Sequence, residues 1–427
     1  MKKLYLSFAF VVLGIVAGYC QLTLEYCLQR ADTNYPVLRK YGIVEQTELV
    51  ALSDISKGWL PSVSPYAQIT AQNAVPKFPE ALRGVMSQTG HSIKGLSPFQ
   101  YKLGVDVSQR IWDGGSDKVE KELAGLQSDV AKAEIETQLY AMHEKVINLF
   151  FGILLVEEQI EQVENSIDLL EANRRKLAAM VKNGVAMQSD VDMVSAQILT
   201  LKQNIIAARN SIKSYYDLLG LYMDEDITGR PLVRPDMMLP ITDRVNRPEL
   251  KTFETRQALT NAKYKSIDVS LKPKVGLFAQ AYYGYPGLDY FQSMMKRTPS
   301  FNILAGVKVS WNISPLYTKD NSKKKLELAA LSTEVDKEIF LFNTSLQTKA
   351  QRDEIKGLRD VAMDDGEIIR LREKVRKVAE SQLTNGVIDI TGLLTKITEE
   401  NQARLTARLH EVELLYAVYK LKYILNQ

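Results

Sequence analysis

Four short segments alternate apolar and polar residues with a period of two. In 101–112, Tyr101, Leu103, Val105 and Val107 alternate with Lys102, Asp106 and Ser108. In 301–311, Phe301, Ile303, Ala305, Val307, Val309 and Trp311 lie opposite Asn302, Lys308 and Ser310. The segments 62–73 (Val63, Ala67, Ile69 and Ala71 against Ser64, Gln68 and Thr70) and 274–285 (Val275, Leu277, Ala279, Ala281 and Tyr283 against Gln280) behave alike, with Phe278 and Tyr282 out of pattern. Such a period predicts strands with one apolar and one polar face. Runs of about 10–12 residues suit a tilted membrane strand, and Tyr101, Trp112, Tyr283, Tyr285, Phe301 and Trp311 sit near the ends, as an interfacial girdle would. An ordinary sheet with one wet face gives the same alternation. Four strands cannot close a barrel, eight being about the smallest bacterial number. Lipid does not tolerate an open sheet edge, so a membrane location requires several chains to share one barrel.

The remaining pattern repeats at threes and fours. Ala141, Val146, Leu149, Ile153, Val156, Ile160, Val163, Ile167 and Leu170 form one narrow stripe, and Glu157, Glu158, Glu161 and Glu164 fill a solvated face. This is the pattern of antiparallel coiled-coil hairpins. Ser116 to Lys182 and Asp320 to Thr384 contain no proline. Each is followed by a helix-ending pair, Asn183-Gly184 and Asn385-Gly386, and by a return helix, from about Met187 to Tyr222 and on to about Ile424. Helices of sixty-odd residues span on the order of 100 Å, too long for a compact domain. The tips, 183–191 and 385–394, are expected at one end of the molecule, away from the strands.

These elements occur twice. Asn34-Tyr35-Pro36-Val37-Leu38 recurs as Asn246-Arg247-Pro248-Glu249-Leu250, and Pro61 and Ala67-Gln68 meet Pro273 and Ala279-Gln280 at the same offset of 212. Further on the offset is 202, where Gly104-Val105-Asp106-Val107-Ser108 meets Gly306-Val307-Lys308-Val309-Ser310 and Asn183-Gly184-Val185 meets Asn385-Gly386-Val387. The ten-residue step falls between the two strands of each copy, where a loop is expected. The chain divides accordingly into a first repeat over 21–222 with its helical hairpin at 116–222, a linker over 223–245, and a second repeat over 246–427 with its hairpin at 318–425.

Residues 1–20 read as a secretory signal: Lys2 and Lys3, an apolar run from Leu4 to Ala17, then small Gly18 and Cys20 before Gln21. The rival reading makes Cys20 the acylated residue of a lipoprotein signal, against which bulky Tyr19 counts. Beyond this segment no charge-free apolar stretch of about 18 residues occurs, so no membrane-spanning helix is expected. Removing Lys2 and Lys3 takes the basic residues from 54 to 52 against 51 acids, a near-neutral balance that points to no nucleic-acid partner. Without Cys20 only Cys27 remains, so no intrachain disulfide framework is expected. His91, His143 and His410 lie far apart, without metal-ligand spacing. No nucleophile motif, phosphate loop or cofactor signature is present, so neither an enzyme nor a cofactor is expected.

Leu22-Thr23-Leu24-Glu25 with Asn34-Tyr35-Pro36, the start Asn246-Arg247-Pro248-Glu249-Leu250, the junction Ser108-Gln109-Arg110-Ile111-Trp112-Asp113-Gly114-Gly115 and the tip Asn385-Gly386-Val387-Ile388-Asp389-Ile390-Thr391-Gly392-Leu393-Leu394 together resemble the TolC family of outer-membrane efflux proteins. The resemblance covers about Leu22 to Leu425. It implies a homotrimer in the cell outer membrane, each chain giving four strands to a twelve-stranded β-barrel continued by a periplasmic α-helical barrel. It also implies partners: a periplasmic adaptor docked at the helix tips, and an inner-membrane transporter that supplies the energy. The adaptor-docking tip residues so implied are Asn183, Gly184, Val185, Asp190 and Val191 in the first repeat and Asn385, Gly386, Val387, Ile390, Leu393 and Leu394 in the second; of these Gly184, Asp190, Gly386, Ile390, Leu393 and Leu394 match the family pattern, and Val191 keeps its apolar character. Entrance or gate candidates are Lys182, Asp190, Asp389, Gly392, Thr395 and Arg408. Gly392 and Thr395 stand where some members carry an acidic ring, so a cation-binding ring is not expected. The outlet of a one-step protein secretion system uses the same scaffold. A soluble periplasmic coiled-coil adaptor or scaffold would explain the helices but not the four strands.

Overall fold

The computed structural model describes residues 22–88, 90, 95–237 and 241–427. The expected signal segment with Cys20, and His91, lie outside them. The chain forms two compact units, and each draws on both sequence repeats. One comprises Gly42–Ala133 and Thr252–Asp336; the other comprises the chain up to Tyr41, Glu134–Lys251 and Lys337–Gln427.

The first unit contains a four-stranded antiparallel sheet of β1 (Ser62–Ala71), β2 (Phe99–Trp112), β3 (Lys274–Tyr285) and β4 (Ser300–Ser310) in the order β1-β2-β3-β4. The strand pair of each repeat is joined to the other through β2 and β3, whose register pairs Val105 with Ala281 and Val107 with Ala279. β1 and β4 are left as the two edges. The β1–β2 connection, 72–98, is longer than the β3–β4 connection, 286–299, which accounts for the drop in repeat offset. Each connection carries a short helix that the hydrophobic pattern did not announce, α3 (Glu80–Gln88) and α7 (Tyr290–Lys296). A local cap sets the start of α7: the Asp289 carboxylate accepts from Gln292 N at 2.9 Å.

The two aromatics out of pattern in β3 have a packing reason. Tyr282 lies directly across from Gly104, and Phe278 across from Gly306. A Cβ on Gly104 would come within 2.7 Å of Tyr282 Cβ, and one on Gly306 within 3.0 Å of the Phe278 ring. Each ring therefore covers a glycine on the polar face, which compensates for the side chain the glycine lacks.

β2 hands over to a long helix at Asp113-Gly114-Gly115. Both glycines have positive φ, 75° and 93°. Asp113 accepts from Gly115 N at 2.8 Å and from Asp117 N at 2.5 Å, turning the chain into α4 (Ser116–Lys182). Burial pushes the Asp113 carboxyl up, but these backbone donors outweigh it and hold its pKa below the ordinary value.

α4 has 67 residues and α8 (Lys319–Thr384) has 66, each about 100 Å long at 1.5 Å per residue. Their return helices are α5 (Gln188–Met223) and α9 (Ile390–Leu425). The units also share α2 (Leu38–Lys57) and α6 (Pro248–Ser270), which follow the two Asn-x-Pro motifs, and α1 (Leu24–Asn34) opens the described chain. Within the second unit, Cys27 and Ala31 of α1, Met142, Val146, Phe150, Phe151 and Ile153 of α4, Leu219 and Met223 of α5, and Val412 and Leu415 of α9 make one buried cluster. By length and composition one stretch of α4 is apolar enough to cross a membrane, although no charge-free apolar run was found there. Much of that helix's apolar surface is taken up by this core. Burial raises the Cys27 thiol to a pKa of about 12, so it is held as a neutral packing group.

The repeated Asn-x-Pro motifs tie the start of each repeat to the end of its return helix. The Asn34 amide donates to Met223 O, and the Tyr35 and Tyr222 rings lie 6.1 Å apart. In the second copy Asn246 N donates to Leu425 O at 2.9 Å, and the Asn426 amide donates to Asn246 O at 2.7 Å. Arg247 pairs with Glu249 and lies over Tyr140 (5.0 Å), Tyr423 (5.3 Å) and Phe340 (5.6 Å). A cation enclosed in this way gains both from its carboxylate and from the ring faces. The motif is thus a structural latch.

Candidate functional site

Two features stand out: one face of the sheet, and the pair of helix tips. The register places odd-numbered residues of all four strands on a single face. That face carries Val63, Pro65, Ala67 and Ile69 of β1, then Tyr101, Leu103, Val105 and Val107 of β2. Leu277, Ala279, Ala281 and Tyr283 of β3 and Phe301, Ile303, Val307 and Val309 of β4 complete it. It has no charged residue. Every charged side chain of the strands (Lys102, Asp106, Arg110, Lys274 and Lys308) stands on the even face or at its margin. An irregularity between Arg110 and Trp112 brings Trp112 opposite Val275, adding an aromatic to the end of the apolar face. Ile69, Leu103, Phe301, Ile303, Val307 and Val309 are all exposed. A contiguous apolar surface of this kind is a contact surface, for protein or for lipid.

The tips are built alike. Gly184 and Gly386 have φ of +72° and +69°. Gly184 N donates to Val181 O and Val185 N to Met180 O; Gly386 N donates to Leu383 O and Val387 N to Gln382 O. This is the Schellman closure of a helix, in which the left-handed residue is glycine because a Cβ is penalised there. The chain restarts on a carboxylate each time. Asp190 accepts from Met187 N at 3.0 Å, and Asp389 accepts from Gly392 N at 2.9 Å.

Beneath the turns the two hairpins share one apolar cluster: Ile167, Leu170 and Leu177 of α4, Val194 and Ile198 of α5, Ala379 of α8, and Ile390, Leu393 and Ile397 of α9. This corrects the expectation for two docking residues. Ile390 and Leu393 are 3% and 1% exposed, so they hold the tip together and present nothing to a partner. Val191 and Leu394 pack partly against the same cluster. The outward apolar groups are Val185 and Val387, 69% and 68% exposed, together with Met187 at 73%. Met187 was missed; the signal for it was an apolar residue in the extended position just before a helix start. Asn183, Gly184, Asn385 and Gly386 are exposed beside them.

Among the described residues the gate candidates are not paired with each other. Asp190 and Asp389 are occupied in capping, and Arg408 lies 3.6 Å from Glu411. Thr395 Oγ1 donates to Thr391 O. Gly392 is partly buried and Lys182 is exposed. The buried charge of this hairpin is elsewhere. Glu400, nearly inaccessible, accepts from Arg376 at 2.5 Å and from Arg404 Nε at 2.9 Å. Burial works against the Arg376 charge, but the Glu400 hydrogen bond and attraction, with Glu380, hold its pKa above the ordinary value. His143 contacts Asp32 and His410 contacts Asp365, each between helices. No His, Cys, Asp or Glu group fit to hold a metal occurs among the described residues.

No protein-family profile matches the chain, and no curated protein matches it in sequence. Solved structures do match, over its whole architecture. The outer-membrane channel OprN superposes with a TM-score of 0.67 at 14% identity, over 94% of this chain and 89% of that one. The chain has the fold of the TolC-type outer-membrane channels. The Campylobacter jejuni CmeC outer membrane channel follows with 0.64 at 12% identity, over 94% and 85%. The Vibrio cholerae outer membrane protein VceC gives 0.64 at 12%, over 94% of each chain. At these identities the likeness is one of fold.

Proposed function

We propose that this chain is an outer-membrane channel subunit. Three copies close one twelve-stranded barrel in the outer membrane, and their helices continue it as a periplasmic tunnel. It serves as the passive exit duct of a tripartite efflux pump, downstream of a periplasmic adaptor and an inner-membrane transporter. No bond is made or broken by the duct.

The observation that carries this reading is the charge-free apolar face on a sheet with two unpaired edges. Lipid requires both features to be resolved together: apolar side chains outward, and every backbone donor and acceptor paired. Four strands cannot pair their own edges, whereas three sheets joined β4 to β1 around a ring can. The exposed stripe on α8, with Leu328, Leu331, Val335, Ile339, Phe342 and Leu346 spaced at threes and fours, is a second uncovered apolar surface that neighbouring copies would bury. At the tips, Val185, Met187 and Val387 with the Asn183 and Asn385 rim form the adaptor-docking surface. Lys182, Asp190, Asp389, Gly392, Thr395 and Arg408 border the periplasmic entrance.

Edge pairing is directly testable. A panel of variants with one cysteine in 63–69 and one in 301–309 is expected to give disulfide-linked dimers and trimers in the outer-membrane fraction. Monomers alone, recovered from the soluble periplasm, would overturn the reading.

A further inference from the structure

We propose that the outer end of this conduit prefers anions, through Lys102, Lys274 and Lys308 on the polar face of the sheet. The inference rests on the channel reading above, which turns that face toward the lumen. Its basis is the charge inventory of the even face. Arg110 is neutralised by Asp117 at 3.2 Å and also donates to Gly58 O. Asp106 accepts from the Gln280 amide at 2.8 Å, a neutral partner that leaves its charge in place. Lys102, Lys274 and Lys308 form no ion pair among the described residues. The ammonium of Lys102 sits 4.7 Å over the Tyr282 ring, which is itself fixed against Gly104. Lys274 and Lys308 are exposed, and the residue directly across from Lys308 is a glycine, Gly276. Three lysines against one aspartate leave an excess of two positive charges per chain, and six around a three-chain ring. The other polar groups of this face, among them Ser64, Gln68, Gln100, Ser108 and Asn302, are neutral.

Geometry makes that excess effective. Twelve strands about 4.8 Å apart and tilted by about 40° enclose a ring of radius about 12 Å. The screening length is about 10 Å at 0.1 M salt and about 3 Å at 1 M. At low salt the wall charge therefore reaches the axis, and at high salt it does not. Rings of lysine and arginine are the device by which pores select anions. The apolar face contributes no opposing charge, because it has none. The solutes favoured on exit are accordingly small anions, or larger molecules with a net negative charge.

The test is ion selectivity of the purified full-length protein in a planar bilayer under a KCl gradient. At about 0.1 M the chloride-to-potassium permeability ratio is expected on the order of two to three, falling toward one as salt approaches about 1 M. Lys102→Gln combined with Lys308→Gln should bring the low-salt ratio toward one, and Asp106→Asn should raise it. A wild-type ratio at or below one, or a double variant as selective as the wild type, overturns the proposal while leaving the channel itself standing. A preparation of trimers that conducts nothing removes the channel reading and the anion preference together.

Discussion

Gly184 and Gly386 show how much a single residue settles here. Apart from its chain neighbours, neither has an atom within 4 Å of where a Cβ would sit, so it is backbone conformation that reserves these positions for glycine. Gly386→Ala is expected to cost about 1 kcal/mol, with Gly386→Asn costing less because asparagine tolerates the left-handed region. The readout is hydrogen exchange at the Gly386 and Val387 amides, which should speed about fivefold in the alanine variant. Exchange unchanged in that variant would show that the closure does not depend on the left-handed residue. Such positions were legible in the sequence, since an Asn-Gly pair after a long proline-free run is a local signal. The places of Tyr282 and Phe278 were not, because their partners Gly104 and Gly306 lie on other strands. Asp113 was legible only as part of a motif; that its carboxylate caps α4 follows from coordinates.

Among the elements, the long helices and the strands were the most readable. Periods of two and of three to four persist over enough residues to override local exceptions. The short helices α3 and α7 were not, since seven to nine residues inside a connection leave too little periodicity. The tips mark the boundary between the two cases. Their turns could be read from each hairpin alone, but Leu393 is buried in a cluster to which both hairpins contribute, Leu177 and Val194 among them. This distinction separates two kinds of variant. Val185→Asp with Val387→Asp changes only exposed side chains and should leave trimers intact while abolishing crosslinking to the adaptor. Leu393→Ala opens a buried site and should lower stability by about 2–4 kcal/mol. Measured side by side, melting and adaptor crosslinking must respond to different variants. If the double aspartate variant still crosslinks normally, the docking surface is elsewhere.

For the whole molecule, the sequence duplication was clear, but the division into compact units was not. Each unit takes its strands or helix segments from both repeats, because packing within a repeat, as in β1 with β2, is joined by packing between repeats, as in β2 with β3. The apolar stripe on α8 also acquires meaning only at this scale. Phe342, exposed in the single chain, is expected to be buried between copies. Phe342→Glu should leave the monomer's helix content unchanged and weaken the trimer by about 1.5–3 kcal/mol per copy. The measurement is the temperature at which trimers dissociate in detergent; no change would place the stripe outside the subunit contact.

The unpaired borders of β1 and β4 have one more implication, for biogenesis. In the proposed three-chain barrel a lone chain supplies only a third of the cylinder, with bare amides along two margins that no hydrocarbon will accept. It therefore has no insertable intermediate of its own. On that proposal, entry into the bilayer and association of the three polypeptides are expected in one concerted step, whose rate should climb steeply with the amount of protein waiting in the periplasm.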